Sequence, residues 1–233
     1  MSTVTDVLRR WASGPRPAVI FDFNGTLSDD EPILLDIFTE LFTTRLGWAM
    51  TPAEYDAELL GLSDREIVRR AVARTGAHTG VVEELLAARR TRYAERVAVR
   101  NPITEPAAEL VKALSDNGFP LAIVTGAVRA DVAAVLAASS IGDLFAAVVT
   151  EEDVSRGKPD PEGFLTGADL LGRDPSDILV FEDSGPGVRG ALAAGMACVA
   201  VSPDPGAELR AVAPVIVPAL APELLSAVLD ARR

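Results

Sequence analysis

Six short apolar runs, each containing β-branched residues, follow one another along the chain. They cover residues 18–23, 120–125, 146–150, 177–183, 197–202 and 215–217. Runs of this length and composition are typical of strands buried on both faces. Segments with helical period lie between them, for example 128–136 and 161–171, the second of which places Pro161 in its first turn. The alternation predicts an α/β protein with a parallel sheet and right-handed crossovers.

One region breaks this alternation, because no strand pattern occurs between the first apolar run and the second. A helix face is indicated by Leu34, Ile37, Phe38, Leu41 and Phe42. Further helical patterns cover about 53–60 and 81–98. Ser63 and Glu66 have the spacing of a capping box that opens another helix. We therefore predict an all-helical domain, 28–100, inserted into a core domain formed by 1–27 and 101–233.

Charge and cysteine content narrow the classes of function. The 233-residue chain has a net charge of −12, so the phosphate backbone of a nucleic acid would be repelled, and no nucleic-acid partner is expected. The single cysteine, Cys198, lies in an apolar run, which favours a buried position and fits a reducing, cytoplasmic location. We find no secretory signal pattern and no apolar run of about 18 residues, so neither export by that route nor a membrane partner is expected.

Polar residues that could carry chemistry stand where the predicted strands end, or in the loops that follow them. They are Asp22, Thr125 with Gly126, Lys158, and Glu182 with Asp183. In an open parallel sheet, ligands bind beyond the carboxyl ends of the strands. Taken singly, each residue also fits a turn or a solvated surface. Lys158 is more informative, because the chain has only two lysines against twenty arginines. Together these residues favour a site for a phosphoryl group and a hard divalent metal.

Four segments in this order resemble the motifs of the haloacid dehalogenase superfamily. They are DFNGTLSD at 22–29, IVTG at 123–126, GKPDP at 157–161 and VFEDSGPGVRGALAAGM at 180–196. The helical insert is similar to the small helical cap of that family. The resemblance implies a Rossmann-like, doubly wound core, a mobile cap, Mg²⁺, and hydrolysis of a small phosphate monoester through an aspartyl-phosphate.

The resemblance also implies roles for individual residues. Asp22 would be the nucleophile, and Lys158 would neutralise charge between the nucleophile and the phosphate. Thr125 and neighbouring N–H groups, including that of Gly126, would bind phosphate oxygens. The metal would be held by Asp22, Glu182, Asp183 and the backbone carbonyl of Asn24.

Asn24 departs from the family pattern, in which phosphatases and mutases have an aspartate that transfers protons. An amide can donate a hydrogen bond but cannot perform general acid or base catalysis. The relatives that cleave phosphonates use a cap lysine, and the insert contains no lysine. The dehalogenases need no metal, so their pattern does not call for the acidic pair Glu182 and Asp183. A metal-dependent phosphate reaction is therefore the favoured class.

Several explanations of Asn24 stay open. The first is a slow phosphatase in which Asp29, Asp30 or Glu31 supplies the proton, or whose substrate has a leaving group that needs none. The second is a catalytically silent protein that binds a phosphorylated ligand. In the third, Asn24 deamidates to an aspartate because Gly25 follows it, or was itself introduced in place of one. A sugar phosphomutase is a further enzymatic alternative.

Substrate choice in this family depends mostly on the cap and the loops that face it. Arg65, in the first turn of a predicted cap helix, is a candidate for binding an anionic group of the substrate, and a solvated helix face is the alternative. His78, the single histidine, lies in a predicted loop and is interpreted as a surface residue. The expected partner is a small phosphorylated metabolite whose identity the sequence does not give.

Overall fold

A single parallel sheet organises the larger part of the molecule. The computed structural model describes residues 3–59 and 62–229. Its strands are β1 (Ala18–Phe21), β2 (Leu121–Val124), β3 (Ala147–Val149), β4 (Ile178–Glu182), β5 (Ala197–Val201) and β6 (Ile216–Val217). They lie side by side in the order β3-β2-β1-β4-β5-β6, and every neighbouring pair is parallel. This is the strand order of a doubly wound Rossmann-like sheet, so the predicted fold class is confirmed.

Eleven α-helices occur in the part of the chain that the structure describes. They are α1 (Val4–Ala12), α2 (Glu31–Leu41), α3 (Pro52–Glu58), α4 (Asp64–Thr75), α5 (Val81–Val99), α6 (Glu105–Asp116), α7 (Arg129–Ala137), α8 (Glu162–Leu171), α9 (Gly185–Ala193), α10 (Ala207–Val212) and α11 (Glu223–Leu229). A π-helical turn, Phe42–Leu46, continues α2, and short 3₁₀ turns cover Gly142–Leu144, Glu151–Asp153 and Pro175–Asp177. Among the described residues, no helix is both long and apolar enough to span a membrane.

The central strands are buried on both faces, as their continuous apolar sequence predicts. Ile20 in the middle of β1 pairs with Ala122 on one side and Val180 on the other. One hydrophobic cluster joins these strands to Phe164 of α8 and Val188 of α9, and all five residues are fully or almost fully buried. The well-packed sheet provides a rigid base for the loops at its carboxyl edge.

Two helices that the sequence patterns did not predict, α1 and α6, also belong to this sheet-containing part. Thr3 and Asp6 form a capping box at the start of α1. Trp11 near its end is buried and donates its indole N–H to the backbone carbonyl oxygens of Ala18 and Asp177. Its ring stacks on Phe119. These contacts attach α1 to the first residue of β1 and to the turn that precedes β4.

The chain divides into two compact units, Met1–Asp29 with Pro102–Arg233, and Asp30–Asn101. The sequence predicts boundaries at 27/28 and 100/101, and the assignment of the second unit as a cap stays a prediction. Within this helical unit, α5 packs against α2 and α4. Ser63 caps α4 by accepting a hydrogen bond from the Glu66 N–H.

Three acids of the helical unit, of which Asp30 is buried and the other two are partly exposed, contact donors from other helices. The Tyr93 hydroxyl donates to Asp30, the Tyr55 hydroxyl donates to Glu31 at 2.6 Å, and an ion pair of 2.9 Å joins Arg89 to Asp64.

Candidate active site

The carboxyl edge of the sheet brings together the polar residues that end the first two central strands. Asp22 follows β1 directly, and its N–H donates to the carbonyl of Phe181 in β4. Thr125 follows β2, and its N–H donates to the carbonyl of Val149 in β3. Asp22 is only 5% exposed and Thr125 only 6%. Hydrogen bonds to the neighbouring strands therefore fix the backbone positions of both residues at the carboxyl edge of the sheet.

Lys158 lies between two carboxylates at this edge. Its Nζ makes a close hydrogen bond to Oδ1 of Asp22 and another, of 2.6 Å, to Oε2 of Glu182. The ring of Phe164 lies 5.3 Å from the same Nζ. A compact ammonium can approach both acids at once, which accounts for a lysine here in an otherwise arginine-rich chain.

Glu182 is fixed by the residues that follow it. Its Oε1 accepts hydrogen bonds from the N–H groups of Asp183 and Ser184, at 3.2 and 3.0 Å, and from the Ser184 hydroxyl at 2.7 Å. The start of α9 lies so close that a Cβ at Gly187 would stand 2.0 Å from the Glu182 carboxylate. The absence of a side chain at Gly187 is therefore a requirement of this carboxylate position.

Asp183 lies beside the loop that follows β1. A Cβ at Gly25 would stand 2.2 Å from Oδ2 of Asp183, and Gly25 has a φ of +76°. Both facts favour glycine, since other residues rarely adopt this φ and would collide with the carboxylate. The loop after β1 and the loop after β4 are thus packed directly against each other.

Three carboxylates converge on one place. One oxygen from each of Asp22, Glu182 and Asp183 lies within 4.8 Å of the others. With Lys158 as the adjacent cation, the cluster carries more negative than positive charge when every group is ionised. Clustered carboxylate oxygens are the ligands that a hard divalent cation prefers, so the donor set fits such an ion.

Burial and the excess of negative charge shift the pKa values of this cluster. Burial raises the pKa of Asp22 to about 7, and Glu182 adds to the effect while Lys158 opposes it. Burial and the charges of Asp22 and Glu182 raise the pKa of Asp183 to about 8. Burial disfavours the charged form of Lys158, but the two acids outweigh it and raise the pKa of the ammonium. A divalent cation would favour the ionised carboxylates.

Asn24 occupies a tight turn between β1 and the helical unit. The N–H of Gly25, the next residue, donates to the carbonyl of Ser28 at 2.8 Å, and Asn24 and Ser28 form a bridge. Deamidation would require the Gly25 nitrogen to lose its proton and attack the Asn24 amide. Because that N–H is hydrogen-bonded and its backbone is fixed, the folded structure disfavours the deamidation explanation.

Thr125 and Gly126 form the turn after β2. The Thr125 Oγ1 accepts a hydrogen bond from the Ala127 N–H at 3.0 Å, which fixes the oxygen. Its hydroxyl hydrogen can then donate to a ligand. Gly126 is exposed, and a Cβ there would meet nothing within 4 Å, so neither packing nor backbone conformation demands a glycine.

The other predicted site residues lie in or beside the helical unit. Arg65 of α4 pairs with Glu83 of α5 and is half-exposed. Asp30 accepts a hydrogen bond from Tyr93 and Glu31 accepts one from Tyr55, whereas Asp29 is exposed. Burial raises the pKa of Glu31. His78 is exposed and accepts a hydrogen bond from the Gly80 N–H, a local turn contact. The phosphate-binding role of Arg65 and the proton-donor role of the three acids stay predictions.

Comparison with known proteins decides the family. The family model described as haloacid dehalogenase-like hydrolase matches residues 17–195, which is more than half of the chain. The chain belongs to this family of hydrolases. The match covers three of the four sequence motifs completely and the fourth up to Gly195, and it includes the described part of the helical unit.

The similar proteins include named bacterial ones. Protein CbbY of Rhodobacter capsulatus is 33% identical over 78% of this chain and 83% of its own length. Validoxylamine A 7'-phosphate phosphatase of Streptomyces hygroscopicus subsp. limoneus is 33% identical over 84% of this chain and 91% of its own length. The crystal structure of CbbY from Rhodobacter sphaeroides in complex with phosphate has a TM-score of 0.75 and 23% identity, over 91% of this chain and 99% of that one. At that identity, the structure supports the fold alone.

Sequence reasoning did not single out Ser184 or Phe164, although both contact charged groups of the site. Phe164 looks like an ordinary core residue of α8 and is fully buried. Ser184 directly follows the acidic pair and precedes a glycine-rich helix start, which was an available signal for an N-cap. The direction in which its hydroxyl donates could be seen only in the structure.

Proposed function

We propose that this hydrolase cleaves a small phosphate monoester with Mg²⁺, through a phosphorylated Asp22, and that Asn24 slows the second half of the reaction. The observation that carries the proposal is the contact of Asp22 with Lys158, beside a cluster of carboxylates that suits a divalent cation. The phosphatases among its relatives support a phosphorylated substrate, as do the motifs.

The magnesium ion would be held by the carboxylates of Asp22 and Asp183, with Glu182 and the backbone carbonyl of Asn24 as further ligands. When bound, it would supply positive charge to the phosphate oxygens and to the crowded carboxylates. Magnesium binds few protein carboxylates and keeps several waters, which suits a site at the open end of a sheet.

The first step is an attack of an Asp22 carboxylate oxygen on phosphorus. A new O–P bond forms, the bond to the ester oxygen breaks, and the ester oxygen leaves with the electron pair. Lys158 compensates the charge of Asp22 and the incoming phosphoryl group, and Thr125 donates its hydroxyl to a phosphate oxygen. An aryl phosphate needs no acid in this step, because its leaving group is stable as an anion.

In the second step, water attacks the phosphorus of the phosphorylated Asp22. A new O–P bond forms, the bond to Asp22 breaks and returns its carboxylate, and inorganic phosphate leaves, while a base normally takes the proton of the water. The Asn24 amide cannot accept the proton of that water. Lys158 is protonated, and Glu182 already accepts hydrogen bonds on both oxygens. We therefore expect hydrolysis of the intermediate to be about 10²–10⁴-fold slower than with a carboxylate at position 24.

The test is a rapid time course with an aryl phosphate and Mg²⁺, comparing the wild type with Asn24→Asp and Asp22→Asn. The wild type should release about one equivalent of product in a burst and then turn over slowly. Asn24→Asp should give sustained turnover, and Asp22→Asn should give no burst. Peptide mass spectrometry across Asn24 and Gly25 shows whether the amide is intact in the same sample.

Other outcomes of this time course would favour one of the alternative functions. No burst with intact Asp22 would mean a silent protein that binds a phosphorylated ligand. Sustained turnover with an intact Asn24 amide would mean that another group, such as Asp29, Asp30 or Glu31, transfers the proton. A phosphomutase would return the phosphoryl group to a sugar phosphate instead of releasing inorganic phosphate. A cytoplasmic location stays an expectation from the cysteine content.

A further inference from the structure

Ser184 links the acidic pair after β4 to the first turn of α9. Its hydroxyl donates to Oε1 of Glu182 at 2.7 Å and accepts a hydrogen bond from the Gly187 N–H at 3.1 Å. Its own N–H donates to the same Oε1 at 3.0 Å. One serine therefore caps the helix and fixes a carboxylate at the same time.

These contacts determine which way the Glu182 carboxylate faces. Oε1 takes its hydrogen bonds from Asp183 and Ser184, whereas Oε2 accepts one from Lys158 at 2.6 Å. Among the described residues, the Ser184 hydroxyl is the only side-chain donor to Oε1. The hydrogen bond from this hydroxyl is also the shortest of the three to that oxygen. Rotation of the carboxylate would break these bonds and the bond to Lys158 together.

The opposite side of Glu182 is confined by backbone. The close approach of Gly187 leaves no space for the carboxylate to move toward α9 without a collision. Glu182 is 1% exposed, so solvent cannot replace a lost hydrogen bond easily. Its position is therefore set by Ser184 on one oxygen and by Lys158 on the other.

We propose that Ser184 is a positioning residue, whose hydroxyl holds Glu182 so that Oε2 keeps the Lys158 ammonium beside Asp22. The inference deepens the proposed function and rests on it, since Asp22 and Lys158 matter in this way only if they act on the phosphoryl group. Ser184 itself does not touch the reacting atoms.

The test uses the two lysines of the chain. Lys112, exposed on α6, is an internal reference for Lys158. The protein is treated with trace acetic anhydride at fixed pH, and acetylation of each lysine is measured by mass spectrometry. Ser184→Ala should raise the Lys158-to-Lys112 acetylation ratio by about three- to tenfold, the range expected for the loss of one hydrogen bond. Ser184→Thr, which keeps the hydroxyl, should restore the wild-type ratio.

The matched control is Thr3→Ala, which removes the cap of α1, a helix of the same length in the same unit. It should lower stability as Ser184→Ala does but leave the acetylation ratio unchanged. An unchanged ratio in Ser184→Ala, or an equal rise in Thr3→Ala, would overturn the proposal. If Ser184→Ala does not fold, Ser184→Cys, a weak donor, supplies the same comparison.

The acetylation readout is independent of turnover. Absence of a burst in the wild type would contradict the proposed function, even if the acetylation ratios behave as expected. A normal burst with an unchanged acetylation ratio in Ser184→Ala would sink the role of Ser184 alone. If both proposals hold, Ser184→Ala also lowers the rate constant of the burst, whereas Thr3→Ala does not.

Discussion

The acids of the two units differ in how neighbouring groups compensate them. In the helical unit, buried Asp30 accepts a hydrogen bond from the Tyr93 hydroxyl, and partly exposed Asp64 pairs with the Arg89 guanidinium. At the end of the sheet, the acids share a single lysine, Lys158, and crowd within a few ångströms of one another. The first arrangement satisfies each acid from a neighbouring helix, whereas the second leaves a surplus of negative charge.

This contrast separates a structural use of buried polar groups from a functional one. A buried acid with its own donor stabilises a particular packing of helices. Several buried acids with one cation cost stability by themselves, and the pKa of Asp183 near 8 reports that cost. A protein retains such a cluster where a cation or a substrate compensates it.

The largest expected effect tests the shared cation. Lys158→Met should lower the rate constant of the burst by about 10²–10³-fold, because the phosphoryl group and Asp22 lose their compensating charge. Lys112→Met, on the exposed face of α6, should leave the rate constant unchanged. A burst of normal rate in Lys158→Met would remove Lys158 from the proposed reaction.

The pH dependence of Mg²⁺ binding tests whether the clustered acids hold the metal. Asp22 and Asp183 have pKa values of about 7 and about 8, so below these values protons compete with the cation. The apparent affinity for Mg²⁺ should therefore rise with pH, by about tenfold per unit for each proton displaced, and level off above about pH 8. Calorimetric titrations across this range measure it, and a flat profile would contradict the assigned ligands. Tyr93→Phe is the control and should show the same profile.

In the helical unit, removal of a donor should affect stability and not ligand binding. Tyr93→Phe takes a hydrogen bond from buried Asp30 and should lower the free energy of unfolding by about 1–3 kcal/mol. Tyr55→Phe should cost less, because its acceptor, Glu31, is partly exposed. Denaturant titration measures both, and equal losses would argue that burial does not set the difference.

The smallest expected effect is a gain in stability, whereas the preceding substitutions cause a loss. Folding raises the pKa of Asp183 from 3.8 to about 8, so between these values the folded protein binds more protons than the unfolded chain. This group therefore makes the metal-free fold less stable as pH rises through that interval. Asp183→Asn should raise the melting temperature of metal-free protein by a few degrees at pH 8, and the gain should vanish near pH 4. A lower melting temperature at pH 8 would contradict the assignment.

Much of the core could be predicted because buried parallel strands are continuous apolar runs. The helices α1 and α6 were missed because they follow no strand signal, and α1 is stabilised by Trp11, which contacts the first residue of β1 and the turn before β4. Arg65 shows the same limit, since its partner Glu83 stands on another helix. Sequence spacing alone could offer only partners within one helix.

The sequence by itself determined the alternation of strands and helices, the helical insert, and the residue types at the strand ends. Local periodicity and composition suffice for these, because side-chain direction repeats along each element. Only the tertiary structure decided that Lys158 contacts both Asp22 and Glu182, that Ser184 orients Glu182, and that the N–H of Gly25 is hydrogen-bonded. The first fact depends on the packing of loops distant in sequence, and the other two depend on the exact geometry of a single loop, where a shift of one ångström makes or breaks a hydrogen bond.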